Sequence, residues 1–196
     1  MTPSVVFDTT WSLWALSWIL AAFWSAPAVE RRDWRAVWLP YALIVLAIVF
    51  PLAWHQAGMA SPRWWNVGRG GAYALAFATI PGFLFAWWAR LHLGPLWSPA
   101  ITRKQNHRVI DTGPYALVRH PIYTGILWAA LTSDIAAANL PALVSFAALV
   151  GGFWLKARVE EQFLGEQLGE DAYAAYRRRV PMLVPWPTRR AWNISC

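Results

Sequence analysis

Residues 113–125 read GPYALVRHPIYTG, and the residue types in this stretch pose the first chemical question. Arg119 and His120 offer hydrogen-bond donors, Tyr115 and Tyr123 offer flat aromatic faces, and Pro121 opens an apolar run. Further along, Glu160 and Glu161 supply carboxylates beside Lys156 and Arg158. Gly113, Pro114 and Gly125 shape a loop where the apolar run begins, and non-helical backbone at membrane depth is tolerated only where protein covers it or water fills a cavity. Donors, an acceptor and ring faces together suit a zwitterionic cosubstrate with an aromatic base and an onium centre, because ring faces stabilise such cations. Each feature also has a plainer reading. Pro121 suits the first turn of a helix, Glu160-Glu161 a solvated turn beyond the membrane, and the tyrosines an interfacial belt.

Other chemistries lack their residues. There is no G-x-G-x-x-G opening a strand–helix unit, no P-loop and no G-x-S-x-G, and His55, His92, His107 and His120 lack metal-ligand spacing. No metal site is expected. A single cysteine, Cys196, excludes a disulfide within the chain and carries no lipidation context. The net charge of +7 comes without an interleaved basic and aromatic nucleic-acid motif, so contact with membrane headgroups is the better reading and no nucleic-acid partner is expected.

The elements that must position these residues are membrane helices. The chain is 58% hydrophobic and 14% charged, against roughly 25% charged in soluble domains. It also carries 16 tryptophans, the residue enriched at bilayer interfaces. Uncharged runs of 21, 19 and 20 residues cover 9–29, 36–54 and 70–89, each near the roughly 20 residues a crossing needs. The first run has no basic segment before it and is expected to be retained as a span. From Pro121 to Leu155 only Asp134 is charged, and AAANLPAL at 136–143 favours a turn. The reading is a helical hairpin over about 122–138 and 141–158, with a single kinked helix as the alternative.

Five spans place 15 Lys and Arg residues on one side and 2 on the other, which orients the N-terminus outside and the C-terminus in the cytoplasm. Beyond residue 158 an amphipathic cytoplasmic helix is expected, with Gly165 and Gly169 as weak points and Pro181 near its end. The fold class is therefore all-α integral membrane, one domain over 1–196, with two N-terminal spans in 1–60.

At GPYALVRHPIYTG, preceded by His107 and followed by Glu160-Glu161-x-x-Leu164 and by YxxYxxRVP from Tyr173 to Pro181, the chain resembles the isoprenylcysteine carboxyl methyltransferase family, related to phospholipid methyltransferases. The resemblance covers about 89–185. It implies an S-adenosylmethionine-dependent methyltransferase of the EC 2.1.1 class, embedded in the membrane and acting on a lipophilic small-molecule or lipid acceptor. It further implies cofactor contacts from His107, Arg108, Val109, Ile110, Tyr115, His120, Pro121, Ile122, Tyr123 and Glu160, to which the residue reading adds Arg119. Lys156 stands where the family often has an arginine placed toward the acceptor, with Arg158 nearby. Lys lacks the planar fork of Arg, which argues against a carboxylate acceptor. Glu161 is the candidate base for an acceptor that arrives protonated. Small residues Ala129, Ala130, Gly151 and Gly152 are expected to leave a gap between helices for the acceptor. A membrane reductase using NADPH and a non-enzymatic membrane scaffold are the competing readings.

Overall fold

The computed structural model describes residues 2–98, 100–104, 110–168 and 170–186. Along them run α1 (Pro3–Ala22), β1 (Ala28–Arg31), α2 (Trp34–Gln56), α3 (Gly68–Leu93), β2 (Thr102–Lys104), α4 (Pro121–Ala137), α5 (Leu140–Leu168) and α6 (Glu170–Arg179). Among the described residues, four stretches are long and apolar enough to cross a bilayer: Pro3–Ala22, Trp34–Gln56, Gly68–Leu96 and Leu140–Glu166. This is the architecture of a multi-pass integral membrane protein. Large apolar side chains such as Leu13, Ile48, Leu52 and Leu84 stand exposed on these helices, as a lipid-facing surface requires. The 17 residues of α4 rise about 25 Å, short of the roughly 30 Å hydrocarbon core.

Glycines set the helix pairs. A Cβ on Gly82 of α3 would stand 2.5 Å from the carbonyl of Gly125 in α4, so the two backbones touch where neither residue has a side chain. A Cβ on Gly152 of α5 would stand 2.8 Å from Ile44 and 3.0 Å from the Pro40 carbonyl of α2. Of the small residues expected to leave a gap, Ala129 and Gly152 instead bring helices together, while Ala130 lines a cavity of about 1050 Å³. Along α1, Trp11 and Trp14 pack on Phe83 with centroids 4.9 and 5.3 Å away, and Trp18 packs on Trp87.

Helix ends explain where the sequence reading slips. The first apolar run extends to residue 29, yet α1 stops at Ala22. The buried Arg90 guanidinium donates to the carbonyls of Ala21, Trp24 and Gly94, giving those terminal acceptors partners other than another helical turn. The turn at 136–143 is where α4 gives way to α5: Ala138 adopts φ 54°, and the Asn139 side chain accepts from the Ala142 amide at 3.0 Å. Helix α5 runs unbroken through Gly165 to Leu168, and α6 starts two residues later.

The all-helical expectation omits one feature. Strands β1 and β2 pair antiparallel, with Arg31 opposite Thr102 and Ala28 opposite Lys104. At four and three residues they are too short for an alternating pattern to register in sequence. The ribbon ties the segment after α1 to the segment after α3.

Candidate functional site

The motif at 113–125 folds as a turn, a short extended step and a helix start. Gly113 has φ 58°, a left-handed conformation that favours glycine. A Cβ there would also strike the His92 ring at 2.8 Å, while His92 Nε2 hydrogen-bonds Thr112 Oγ1 at 2.9 Å. Pro121 occupies the first turn of α4, where its missing N–H has no consequence.

Just before it, the Arg119 amide donates to the Pro181 carbonyl at 2.9 Å and the His120 amide to the Met182 carbonyl at 3.1 Å. The Tyr176 hydroxyl donates to the Tyr115 carbonyl at 2.7 Å, and Thr124 Oγ1 to the Leu183 carbonyl at 2.6 Å. The two motifs, some sixty residues apart in the sequence, are thus one unit: the tail folds back over the mouth of α4.

Its keystone is Glu161, whose side chain is 2% exposed. Its carboxylate accepts from Arg119 Nε at 2.6 Å and from His120 Nε2 at 3.0 Å, and lies 3.3 Å from Arg177 Nε. The same Arg119 also donates to the Arg177 and Val180 carbonyls. A carboxylate whose lone pairs are this fully occupied joins the loop, α5 and α6; it lacks the open lone pair that a general base needs.

Beside this cluster lies a cavity of about 410 Å³. Ile110, Tyr115, Arg119, His120 and Pro121 line one wall, and Ile122, Tyr123, Lys156 and Glu160 continue it. His120, Tyr123 and Phe153 stack in series, with centroid spacings of 5.3 and 4.7 Å and planes within 2° and 6° of parallel. The Tyr123 hydroxyl donates to Glu160 Oε2 at 2.8 Å, and Lys156 Nζ sits 5.1 and 5.4 Å from the Tyr41 and Tyr123 ring centroids.

The buried Tyr115 hydroxyl has no hydrogen-bond partner among the described residues. Burial, with Glu160 and Tyr176 adding to it, holds its pKa well above the usual phenol value, so it keeps its proton and has a donor to offer. An orphaned donor, a carboxylate left about one-third exposed and several ring faces make a set that fits a zwitterionic, cationic ligand.

Two residues singled out in sequence do not reach this cavity. Glu161 turns into the ion cluster, and Arg158 lies exposed with its guanidinium 5.3 Å from the Trp154 ring centroid. Along α5, Arg158 falls two residues from Lys156 and Glu160, which places it on another face. His107, Arg108 and Val109 lie outside the described residues. Sequence reasoning missed the walls given by Trp18, Tyr41, Trp97 and Phe153. The helical spacing of Trp11, Trp14 and Trp18 was the one visible signal for the first of these.

Residues 74–166 match the isoprenylcysteine carboxyl methyltransferase (ICMT) family. Protein-S-isoprenylcysteine O-methyltransferase B of Arabidopsis thaliana is 31% identical over 87 residues, which cover 44% of this chain and 44% of the plant protein. A methanethiol S-methyltransferase of Pseudomonas sp. is 33% identical over 167 residues, 77% of this chain and 59% of that protein. The cobalt-zinc-cadmium resistance protein CzcN of Cupriavidus metallidurans is 34% identical over 99 residues, 47% of this chain and 43% of that protein. The chain spans about half the length of the curated relatives it matches.

Proposed function

We propose, for a chain that belongs through residues 74–166 to the isoprenylcysteine carboxyl methyltransferase family, that it is an integral membrane methyltransferase of the EC 2.1.1 class, taking S-adenosylmethionine into the cavity beneath α6 and methylating a lipophilic acceptor. The observation that carries this reading is the partnerless Tyr115 hydroxyl in the wall of an aromatic cavity that also holds Glu160. When bound, S-adenosylmethionine supplies a methyl group carried on a positively charged sulfur.

The residues divide the remaining work. Tyr115 donates a hydrogen bond, and Glu160, held by the Tyr123 hydroxyl, faces the ligand's ammonium. The faces of Tyr123 and Phe153 suit the sulfonium. Arg119 and His120 act through Glu161, fixing the backbone on which Tyr115 and Tyr123 are mounted. Lys156 is the cation on the cavity side of α5 for a polar group of the acceptor, the role for which Arg158 is turned the wrong way. His107, Arg108 and Val109 remain cofactor contacts on the resemblance alone. No catalytic nucleophile is required, because the acceptor brings its own; alignment of the reacting groups can supply about 7–11 kcal/mol of the barrier reduction.

The same reading makes α4 a fifth, short crossing, paired with α5 as a hairpin, with the N-terminus outside and α6 and the cavity mouth cytoplasmic. The division of 15 cations against 2 supports it. The whole of 1–196 is read as one membrane-embedded domain, with a catalytic region of about 89–185. Relatives named for S-isoprenylcysteine and for methanethiol bracket very different acceptor sizes. A lipophilic acceptor accounts for why a site for a water-soluble cofactor is mounted on bilayer-spanning helices.

Titration calorimetry with S-adenosylhomocysteine and with NADPH tests the assignment. Binding of the first and not the second is expected. NADPH binding alone would replace the reading with a reductase, and binding of neither would leave a membrane scaffold.

A further inference from the structure

The last turn of α6 carries Arg177, Arg178 and Arg179, and all three stand exposed. Arg177 Nε lies 3.3 Å from Glu161 Oε2, and Arg179 Nη2 donates to Asp111 Oδ2 at 2.9 Å. A guanidinium has five N–H donors, and these two side chains are 49% and 62% exposed, so each keeps a water-facing edge beyond its carboxylate contact.

After α6 the chain runs alongside the start of α4. Thr124, whose hydroxyl donates to the Leu183 carbonyl at 2.6 Å, is three residues past Pro121, a rise of about 4.5 Å along the helix. The next large apolar side chains, Val184 and Trp186, are 68% and 73% exposed at the level where α4 turns apolar. An indole at that level suits the lipid–water interface. Cations beside an exposed aliphatic and an exposed indole match the chemistry of an anionic lipid surface: phosphate for the guanidinium forks, the acyl boundary for the apolar groups.

This surface is mechanically tied to the cofactor cavity. Tyr173 and Tyr176 of α6 line the cavity, and the Tyr176 hydroxyl donates to the carbonyl of Tyr115. The Arg119 and His120 amides donate to the carbonyls of Pro181 and Met182. Whatever holds the tail down therefore holds Tyr115 and the α4 mouth in place.

Resting on the methyltransferase reading, we infer that α6 and residues 181–186 form a membrane-surface latch whose partner is anionic phospholipid. The arginine run takes the lipid phosphates, Val184 and Trp186 enter the interface, and this contact keeps the tail closed over the cofactor. Coupling of this kind is reciprocal: lipid that favours the closed tail tightens cofactor binding, and cofactor tightens the hold on lipid.

The test uses the full chain in nanodiscs, with S-adenosylhomocysteine as the probe. That molecule carries no net charge, so an anionic surface does not concentrate it by Coulomb attraction. Its affinity should be about fivefold higher in phosphatidylcholine mixed with phosphatidylglycerol than in phosphatidylcholine alone, equivalent to the roughly 1 kcal/mol a basic residue gains at an anionic surface. High salt should remove the difference. Arg178→Gln should abolish the lipid dependence and leave affinity in phosphatidylcholine within twofold of wild type. Arg69→Gln, at the far end of α3, should keep it. For a readout without cofactor, bimane on Val184→Cys in a Cys196→Ser background should emit further to the blue in the mixed discs. Unchanged bimane emission overturns the surface contact. Equal affinity in the two discs, a lipid effect that survives Arg178→Gln, or the same gain from inorganic phosphate in phosphatidylcholine discs overturns the latch. A wild-type chain that binds no S-adenosylhomocysteine in either disc overturns the methyltransferase reading instead, and the bimane emission then decides the surface contact by itself.

Discussion

Adjacent glutamates with separate duties make the sharpest prediction. Glu161→Gln removes the carboxylate shared by Arg119, His120 and Arg177. Losing one partner of a buried ion pair costs about 3–5 kcal/mol when the other is left without compensation. Here the compensation is partial. Arg119 keeps the Arg177 and Val180 carbonyls, Gln retains one acceptor oxygen, and Arg177 is half-exposed. The expected loss is therefore about 2–3 kcal/mol of local stability, concentrated where α6 and residues 181–183 fold over the loop.

Glu160→Gln leaves that cluster intact and removes a partly exposed carboxylate from the cavity, so it should weaken S-adenosylhomocysteine binding by about 1.5–3 kcal/mol without freeing the tail. Two measurements separate the variants: calorimetry with S-adenosylhomocysteine, and limited trypsin digestion at the Arg177–Arg179 run. Glu161→Gln should become sensitive at that run, and saturating ligand should restore part of the protection; Glu160→Gln should keep wild-type resistance. Equal trypsin sensitivity and equal affinity loss in both variants would refute the division of labour.

The other predictions follow from single contacts. Tyr115→Phe deletes the orphaned hydroxyl, so S-adenosylhomocysteine affinity should fall by about 1 kcal/mol with an unchanged melting temperature; unchanged affinity would remove Tyr115 from the site. Gly125→Ala drives a methyl group into the Gly82 carbonyl and within 2.9 Å of the Ala86 amide, so thermal unfolding in detergent should show a loss of about 1–3 kcal/mol, and a neutral result would mean α3 and α4 are not in backbone contact. Pro3→Cys and Arg190→Cys in a Cys196→Ser background should label with impermeant maleimide from opposite sides of sealed vesicles. Labelling from the same side would end the five-crossing arrangement.

Long apolar runs made the helices legible, and the turn between α4 and α5 followed from Asn139 and Pro141, because both signals are local. The site was legible where its residues cluster in sequence, as at Tyr115, His120 and Tyr123. It was illegible where a role depends on which way a helix face points. Glu160 and Glu161 are neighbours in sequence, yet the turn of about 100° between successive residues sends one carboxylate to the cavity and the other into the ion cluster. Two such steps, about 200°, separate Lys156 from Arg158. Tyr41 and Trp18 could not be assigned to the site because their membership depends on helix packing, which no local pattern encodes.

Arg90 shows how far the site depends on residues outside its motifs. In sequence it counts as one more cation of a cytoplasmic loop. In the fold it is fully buried within α3, between the rings of Trp24 and Trp97, and its guanidinium holds the last carbonyls of α1. That contact fixes the end of α1 against the end of α3, so Trp18 reaches the cavity and stands edge-on to Trp97 at 5.6 Å. Tyr41, at the other side, arrives on α2 through the backbone contact of Gly152 with Pro40. Tyr173 and Tyr176 come from α6, beyond the family-matched segment, and burial raises both their pKa values. They remain neutral hydroxyls at any physiological pH and bring no charge to a cationic ligand. Residues 74–166 are thus the family-matched segment, while α1, α2 and α6 supply further aromatic walls of the cavity.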